Sequence, residues 1–342
     1  MVQAVTVGLD IAKNVFHAYG VDAQGEKAFS RKLRRAKVEA FFAKLEPCLI
    51  GIEACATAHH WARTFENMGH QVRLMPPVYV KPYVKTQKND EADAEAICEA
   101  VTRPNMRFAE IKTIEQQSVL VLHRTRALLI KHRTRMANTI RAHLAEFGIT
   151  EGIGREGLYR LIDMIVVGED DRITGVTRRA MMCLVEQYRL LQDQILDLDR
   201  QVLAWHRSSE ASKRLATIPG IGPLAASALV ASVGDASSFK NGRSFAAFIG
   251  LVPRQSSSGG KERLGKISKH GDHYLRWLLV VGGLAVIRYA QRHGTRRPWL
   301  VKLLQRRTAK IAAVAMANKM ARIAWVLMTR GGEYREPVAQ AV

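Results

Sequence analysis

The stretch AVTVGLD at residues 4–10 decides the fold. Ala4–Leu9 is a short β-rich run, and it ends in Asp10. Working outward, Asn14–Val21 (NVFHAYGV) and Lys27–Leu33 read as two further strands, with Asp22–Gly25 (DAQG) as turn chemistry between them. Ala36–Leu45 has helical apolar spacing. Cys48–Ile52 (CLIGI) is a buried strand candidate ending in Glu53, and Ala54–Met68 is helical again. Gln71–Met75 is another strand, stopped by Pro76 and Pro77. Asp90–Val101 opens with acidic residues, which suits the positive end of a helix.

The resulting order, β-β-β-α-β-α-β-α, is the pattern of an α/β ribonuclease H-like domain, expected over residues 1–112. Thr113–Phe147 then reads as one long helix without Gly or Pro. Leu122, Leu129, Met136, Ile140, Leu144 and Phe147 line one face, and Arg124, Lys131 and Arg135 share another. Thr150–Gly168 is ambiguous, and Glu169–Gly175 reads as a linker. Over Val176–Arg207 the residues Leu184, Tyr188, Leu191, Ile195, Leu198 and Val202 form a heptad-like seam, so 113–212 is expected to be a helical coiled-coil segment. Residues 213–330 are expected to form a mostly α C-terminal domain, with helices over Tyr274–Tyr289 and Trp299–Met328 and a loop over Pro253–Lys266. Residues 331–342 read as a frayed tail.

Composition narrows the function. In 342 residues, 52 Lys+Arg face 31 Asp+Glu, a formal net charge of +21, which favours a polyanionic partner, nucleic acid or an anionic membrane surface. Residues 1–200 carry 29 basic and 25 acidic side chains, whereas residues 201–342 carry 23 and 6. Acid chemistry and polyanion binding are thus divided along the chain. The longest strictly apolar run, Trp277–Ile287, is far short of a bilayer span, and the N-terminus lacks the pattern of a signal peptide. An integral membrane protein or a secreted protein is therefore not expected, and nucleic acid rather than a membrane is the expected partner. Four scattered cysteines, Cys48, Cys55, Cys98 and Cys183, fit reduced thiols in the cytoplasm.

Two constellations could carry chemistry. Asp10 and Glu53 each end an expected strand, and Asp90 and Asp93 share one helix face at i, i+3. Four converging carboxylates repel unless a hard cation relieves them, and Mg²⁺ prefers oxygen ligands. Two such ions about 4 Å apart can clamp both sides of an in-line phosphoryl displacement. Scattered surface acids are the bland alternative, and it suits Glu91, Glu95 and Glu99 better. The second constellation is Gln255–Lys261 (QSSSGGK), with Arg254, Lys261, Arg263, Lys266 and Lys269 nearby to meet phosphate oxygens. A Ser/Gly loop is most often only a flexible linker. In Thr217–Val233, Gly220 and Gly222 could present backbone N–H groups to a DNA phosphate, or simply form a turn. The same choice applies to Arg124, Lys131 and Arg135, between a phosphate-tracking face and a solvated one. His59 and His60, adjacent on a helix, point about 100° apart and make a poor metal pair, so capping, packing or substrate contact suits them better, while His123 and His132 read as lone helix-surface histidines with a structural role.

VGLDIAK at 7–13, IEACAT at 52–57 and KNDEADAEAI at 88–97 resemble the acidic motifs of DEDD insertion-sequence transposases, the bridge-RNA-guided recombinases related to pilin-gene invertases. IPGIG at 218–222, FAAFIGLVPRQSSSG at 245–259 and ISKHGDHYLR at 267–276 resemble that family's C-terminal domain, the last adding Arg276 to the candidate nucleic-acid contacts. The resemblance spans nearly the whole chain in the expected order. It implies a RuvC-like N-terminal domain whose Asp10, Glu53, Asp90 and Asp93 hold Mg²⁺, two ions per site. It implies that Ser258, with Ser257 or Ser256 open by register, attacks a DNA phosphodiester to give a phosphoserine intermediate. It also implies donor and target DNA, a structured guide RNA, and a homo-oligomer, dimer or tetramer, with composite active sites. A cytoplasmic protein, on the nucleoid when active, is expected. The family's threonine-glycine-like segment after the glutamate reads Ala54-Cys55-Ala56-Thr57 here, a departure that leaves the role of Thr57 open.

Two rival readings are a metal-dependent junction resolvase or nuclease with no covalent intermediate, and a non-catalytic nucleic-acid-binding protein whose acids are structural. A sugar-kinase or actin-like ATPase also begins with a strand ending in Asp, but the chain lacks a convincing second phosphate loop.

Overall fold

The computed structural model describes residues 3–85, 89–257, 261–295 and 297–336. The chain forms two compact units, Met1–Thr113 and Ile114–Val342.

In the first unit, β1 (Thr6–Ile11), β2 (Val15–Val21) and β3 (Lys27–Arg34) form an antiparallel meander. Then come α1 (Val38–Phe42), β4 (Leu49–Glu53), α2 (Ala58–Asn67), β5 (Gln71–Met75), α3 (Pro77–Val80) and α4 (Asp90–Val101). The sheet order is β3-β2-β1-β4-β5, with β4 parallel to both β1 and β5. Strand side chains alternate between faces. Val7, Leu9, Phe16, Ala18, Ile50 and Ile52 point to one face and build a core with Val38, Phe42, Trp61 and Phe65 of α1 and α2. Each fully buried aromatic or branched side chain contributes roughly 1.5–3 kcal/mol. The opposite face, with Gly8 and Gly51, takes α4. A Cβ on Gly8 would lie 2.1 Å from the Ala94 carbonyl oxygen, and one on Gly51 would lie 2.8 Å from Cβ of Val101. The two glycines let the helix backbone settle directly on the strands.

Three details differ from the expectation. Asp10 sits inside β1 rather than at its end, since the strand runs on to Ile11. The helix expected from Ala54 starts at Ala58, because the chain turns first through Ala54–Thr57. The helical stretch expected over Ala36–Leu45 is shorter, a turn of 3₁₀ helix followed by α1.

The second unit opens with α5 (Ile114–Ala145), α6 (Arg155–Val167) and α7 (Gly175–Ser208). α5 and α7 pack along each other within the chain, and the short helix Pro223–Val233 packs against both. Phe147, expected on the apolar face, lies past the end of α5 and is exposed. Next come α8 (Glu210–Ala216), α9 (Pro223–Val233) and α10 (Gly242–Phe248). The expected loop at Pro253–Lys266 carries a small antiparallel ladder, β6 (Pro253–Gln255) with β7 (Leu264–Ile267). α11 (His273–His293), α12 (Pro298–Arg306) and α13 (Ala309–Arg330) complete the unit.

The single helix expected over Trp299–Met328 is two, because Arg307 and Thr308 adopt extended backbone. By length and composition α13 could cross a membrane. In the fold it is a core helix, with Ala317, Met320, Ala321 and Ala324 buried beside Phe245, Leu275 and Leu279. The start of the tail is held rather than frayed. The Tyr334 backbone N–H donates to Thr217 Oγ1 at 3.0 Å, and Arg297 grips both carboxylate oxygens of Glu336 at 2.6 and 2.7 Å.

Candidate metal centre and nucleic-acid contacts

β1 and β4 run parallel with Leu9 opposite Ile52, so the next residues, Asp10 and Glu53, leave the same end of the sheet on neighbouring strands. Asp10 is two residues from Gly8, and Glu53 two from Gly51, so the pleat directs both toward the face that carries α4. That helix is capped at Asn89, whose side chain accepts the Ala92 N–H at 2.7 Å. The cap fixes the first turn, with Asp90 and Asp93, at the end of the helix that lies over Asp10. One turn further on, Ala94 and Cys98 lie over Gly8.

The outcome is a cluster in which ligand oxygens of Asp10, Asp90 and Asp93 all fall within 4.8 Å of one another. Glu53 shares the face, but its carboxylate stands outside that group. Burial, then the charges of Asp93 and Asp90, hold the Asp10 carboxyl above the usual carboxylate range. Cys55 is pushed up by burial first, then by Glu53 and Asp10. Among the described residues, no Lys or Arg lies within ion-pair distance of Asp10, Asp90 or Asp93. An all-carboxylate donor set that no described Lys or Arg neutralises fits a hard divalent cation. The other acids of α4 behave oppositely. Glu91 pairs with Lys27 at 2.9 Å, Glu95 pairs with Lys85 at 2.8 Å, and Glu99 pairs with Arg103.

Next to this corner, Thr57 caps α2 at a φ of 72°, in the left-handed region that a β-branched residue rarely enters. Such a conformation costs on the order of 1–3 kcal/mol. Two residues that matter here escaped the sequence reading. Gly8 is one, although a glycine inside a strand pattern signals a close backbone approach. His17 is the other, directly across the β1–β2 ladder from Asp10.

The expected nucleic-acid contacts divide. Arg124, Lys131 and Arg135 are exposed on α5. Lys261, Arg263, Lys266 and Lys269 are exposed along the β6–β7 ladder, and Arg254 there also donates to the Ser268 carbonyl at 3.3 Å. Arg276 is a correction: it is buried, with Nη1 donating to the carbonyls of Ile249 and His270 at 2.9 and 3.0 Å, so it braces the fold. Gly222 caps α9 with open space around it, whereas Gly220, at φ 92°, touches the backbone of Gly282 on α11. Packing therefore explains Gly220 without a ligand. Ser256 and Ser257 are exposed, the latter accepting the Arg263 N–H at 3.3 Å. Ser258 lies outside the described residues. His59 accepts the Lys112 backbone N–H at 3.2 Å, and His60 is exposed. His132 is on the surface, but His123 is fully buried.

Residues 7–149 match the family model of DEDD transposases of the IS110 type, and residues 212–297 match the transposase IS116/IS110/IS902 family. The chain belongs to the IS110 family of transposases. It is 47% identical over 331 residues to a probable family 20 transposase of Pseudomonas aeruginosa, covering 96% of this chain and 98% of that one. It is 42% identical over 330 residues to the transposase for insertion sequence element IS1111A of Coxiella burnetii, covering 96% and 91%. A pilin gene-inverting protein of Moraxella bovis is 25% identical over 353 residues, covering 94% and 95%. This IS110-family transposase is therefore a DNA-recombining enzyme with DNA substrates. Its DEDD domain points to divalent metal use, and the carboxylate cluster lies within that domain.

Proposed function

We propose that this IS110-family transposase cuts and rejoins the DNA strands of its insertion sequence through a serine-linked covalent intermediate, with a structured RNA directing the choice of donor and target. The observation that carries the reading is the convergence of Asp10, Asp90 and Asp93 within 4.8 Å, unrelieved by any described Lys or Arg. With Glu53 on the same face, these residues would hold Mg²⁺, two ions per site. When bound, such ions stabilise charge on the phosphate and lower the pKa of an attacking hydroxyl.

Ser258 is the nucleophile in this reading. Its Oγ forms a bond to phosphorus, one bond from phosphorus to a flanking sugar oxygen breaks, and that sugar leaves with a hydroxyl. A hydroxyl of another strand then attacks the phosphoserine, restores the diester and frees the serine. The link keeps the bond energy, so strands rejoin without a high-energy cofactor, which suits recombination better than hydrolysis. Arg254, Lys261, Arg263, Lys266 and Lys269 grip backbones beside the serine loop, and Arg124, Lys131 and Arg135 extend the grip. Residues 201–342, with 23 basic and 6 acidic side chains, suit this role. Sequence choice then rests mostly with the RNA. The basic half of one subunit would serve the acidic cluster of another, in the cytoplasm.

The test is to incubate the protein with element-end DNA, flanking RNA and Mg²⁺, and resolve the products on denaturing gels. A protein–DNA adduct that mass spectrometry maps to Ser258, and that Ser258→Ala abolishes, is the expected result. An adduct lost only in Ser257→Ala or Ser256→Ala moves the nucleophile. Cleavage by Ser258→Ala with no adduct in the parent protein overturns the covalent route in favour of a hydrolytic resolvase.

A further inference from the structure

We infer that His17 is a positioning residue of the metal centre, a fixed N–H donor that orients the Asp90 carboxylate within the cluster. The inference rests on the reading of Asp10, Asp90 and Asp93 as cation ligands. His17 stands in the middle of β2, opposite Asp10 on β1. Its neighbours Phe16 and Ala18 are locked in the core on the other face, so the His17 side chain emerges on the side that α4 covers. Its Nε2 is buried, makes no hydrogen bond within the described chain, and lies 3.4 Å from Oδ2 of Asp90.

The two partners differ in freedom. The His17 side chain is 16% exposed and the Asp90 side chain 64%. The ring is held while the carboxylate can turn, so a small rotation of Asp90 would convert the 3.4 Å approach into a hydrogen bond. Space-filling explains His17 poorly, because an apolar side chain would fill the position without stranding a buried polar nitrogen. A donor on the far oxygen of a ligating carboxylate leaves the near oxygen for the cation and fixes its direction. Groups that orient metal ligands in this way are worth ~10–100-fold in metal affinity.

The test is Mn²⁺ binding to the intact protein, followed by electron paramagnetic resonance of the free ion, for the parent, H17Q, H17N and D10N. The glutamine amide reaches the place of Nε2, whereas the asparagine amide is too short. H17N should weaken Mn²⁺ binding by ~10-fold or more, and H17Q should restore most of it. Thermal melts should stay matched between the two. In strand-cleavage assays, H17N should raise the Mg²⁺ concentration for half-maximal rate more than it lowers the rate at saturation. Equal Mn²⁺ affinity in the parent, H17Q and H17N, with D10N impaired, overturns the role of His17 and leaves the metal centre standing. Binding that D10N leaves unchanged overturns the cation reading and the inference with it.

Discussion

In the first unit, Asp10, Asp90 and Asp93 bring like charges within 4.8 Å of one another, and no described Lys or Arg answers them. In the second unit, His123 of α5 is fully buried, and both its ring nitrogens meet hydroxyls, Tyr274 at 3.1 Å and Ser227 at 3.0 Å. Ser227 in turn donates to the Pro223 carbonyl at 2.7 Å. Both sites assemble polar groups from distant parts of the chain. The His123 network is closed and ties α5, α9 and α11 together, so it serves stability. The acidic corner is open electrostatically, since among the described residues only His17, 3.4 Å from Asp90, approaches it with a nitrogen. That contrast separates the candidate metal centre from a network that holds the fold together.

The largest effect tests the open site. Asp10→Asn or Asp93→Asn should reduce DNA cleavage by on the order of 10³-fold, since metal charge stabilisation is worth several kcal/mol and about 1.4 kcal/mol is tenfold. Melting temperature should hold or rise, because the substitution removes a repulsion. A variant that loses activity and folding together would place Asp10 with His123 as a structural residue. Gly8→Ala probes how the corner is held. The new Cβ would press on backbone, 2.1 Å from the Ala94 oxygen and 2.4 Å from the Cys98 nitrogen. Overpacking of this kind costs about 1–3 kcal/mol. By lifting α4 from the sheet it should also weaken Mn²⁺ binding, whereas a pure stability loss with intact binding would detach Gly8 from the centre.

Most of the first unit was legible because its pattern is local. Strand alternation and the acidic start of α4 specify both the order of elements and the positions of Asp10, Glu53, Asp90 and Asp93. What stayed hidden is contact across the sheet. Register decides that His17 faces Asp10, and a one-residue slip would turn it to the other face. The separation of Asp90 from Glu91, neighbours in sequence, depends on which side chain finds a lysine. In the second unit the apolar periods gave the long helices, but not that Arg276 is consumed by two carbonyls or that His123 is internal. Polar residues on a helix carry no periodic mark of burial, since their partners lie far away in the chain.

The closed network makes a pH prediction. Burial, then the charge of Arg126, holds the His123 imidazole down to about 4, against 6.5 for the unperturbed group. Between those values the unfolded chain binds a proton that the folded one refuses. Stability is therefore full above pH 6.5 and falls as the pH drops toward 4, by about 2 kcal/mol at pH 5 from this residue. Urea melts at pH 7 and pH 5 should show that loss, and His123→Leu, though less stable at pH 7, should lack this share of it. An identical slope in both proteins would assign the acid sensitivity to other groups.

The smallest expected effect is the sharpest comparison, because it lies on the same helix turn as the site. Glu91 follows Asp90 in the first turn of α4 and carries the same charge, but its carboxylate bonds Lys27 at 2.9 Å with both side chains half exposed. The Lys27 hydrogen bond, then one from Ser30, holds the Glu91 carboxyl below the usual range. Exposed pairs of this kind add little to stability, because solvent screens them and two long side chains must be held in one geometry. Glu91→Gln should therefore leave melting temperature, Mn²⁺ affinity and strand cleavage close to those of the parent, while Asp90→Asn lowers the latter two sharply. Steady cleavage rates across a Mg²⁺ titration of both variants would measure the difference. If Glu91→Gln proved as damaging as Asp90→Asn, pairing with a lysine would no longer distinguish the two kinds of acid, and the cluster would have to be redrawn to include the outer face of α4.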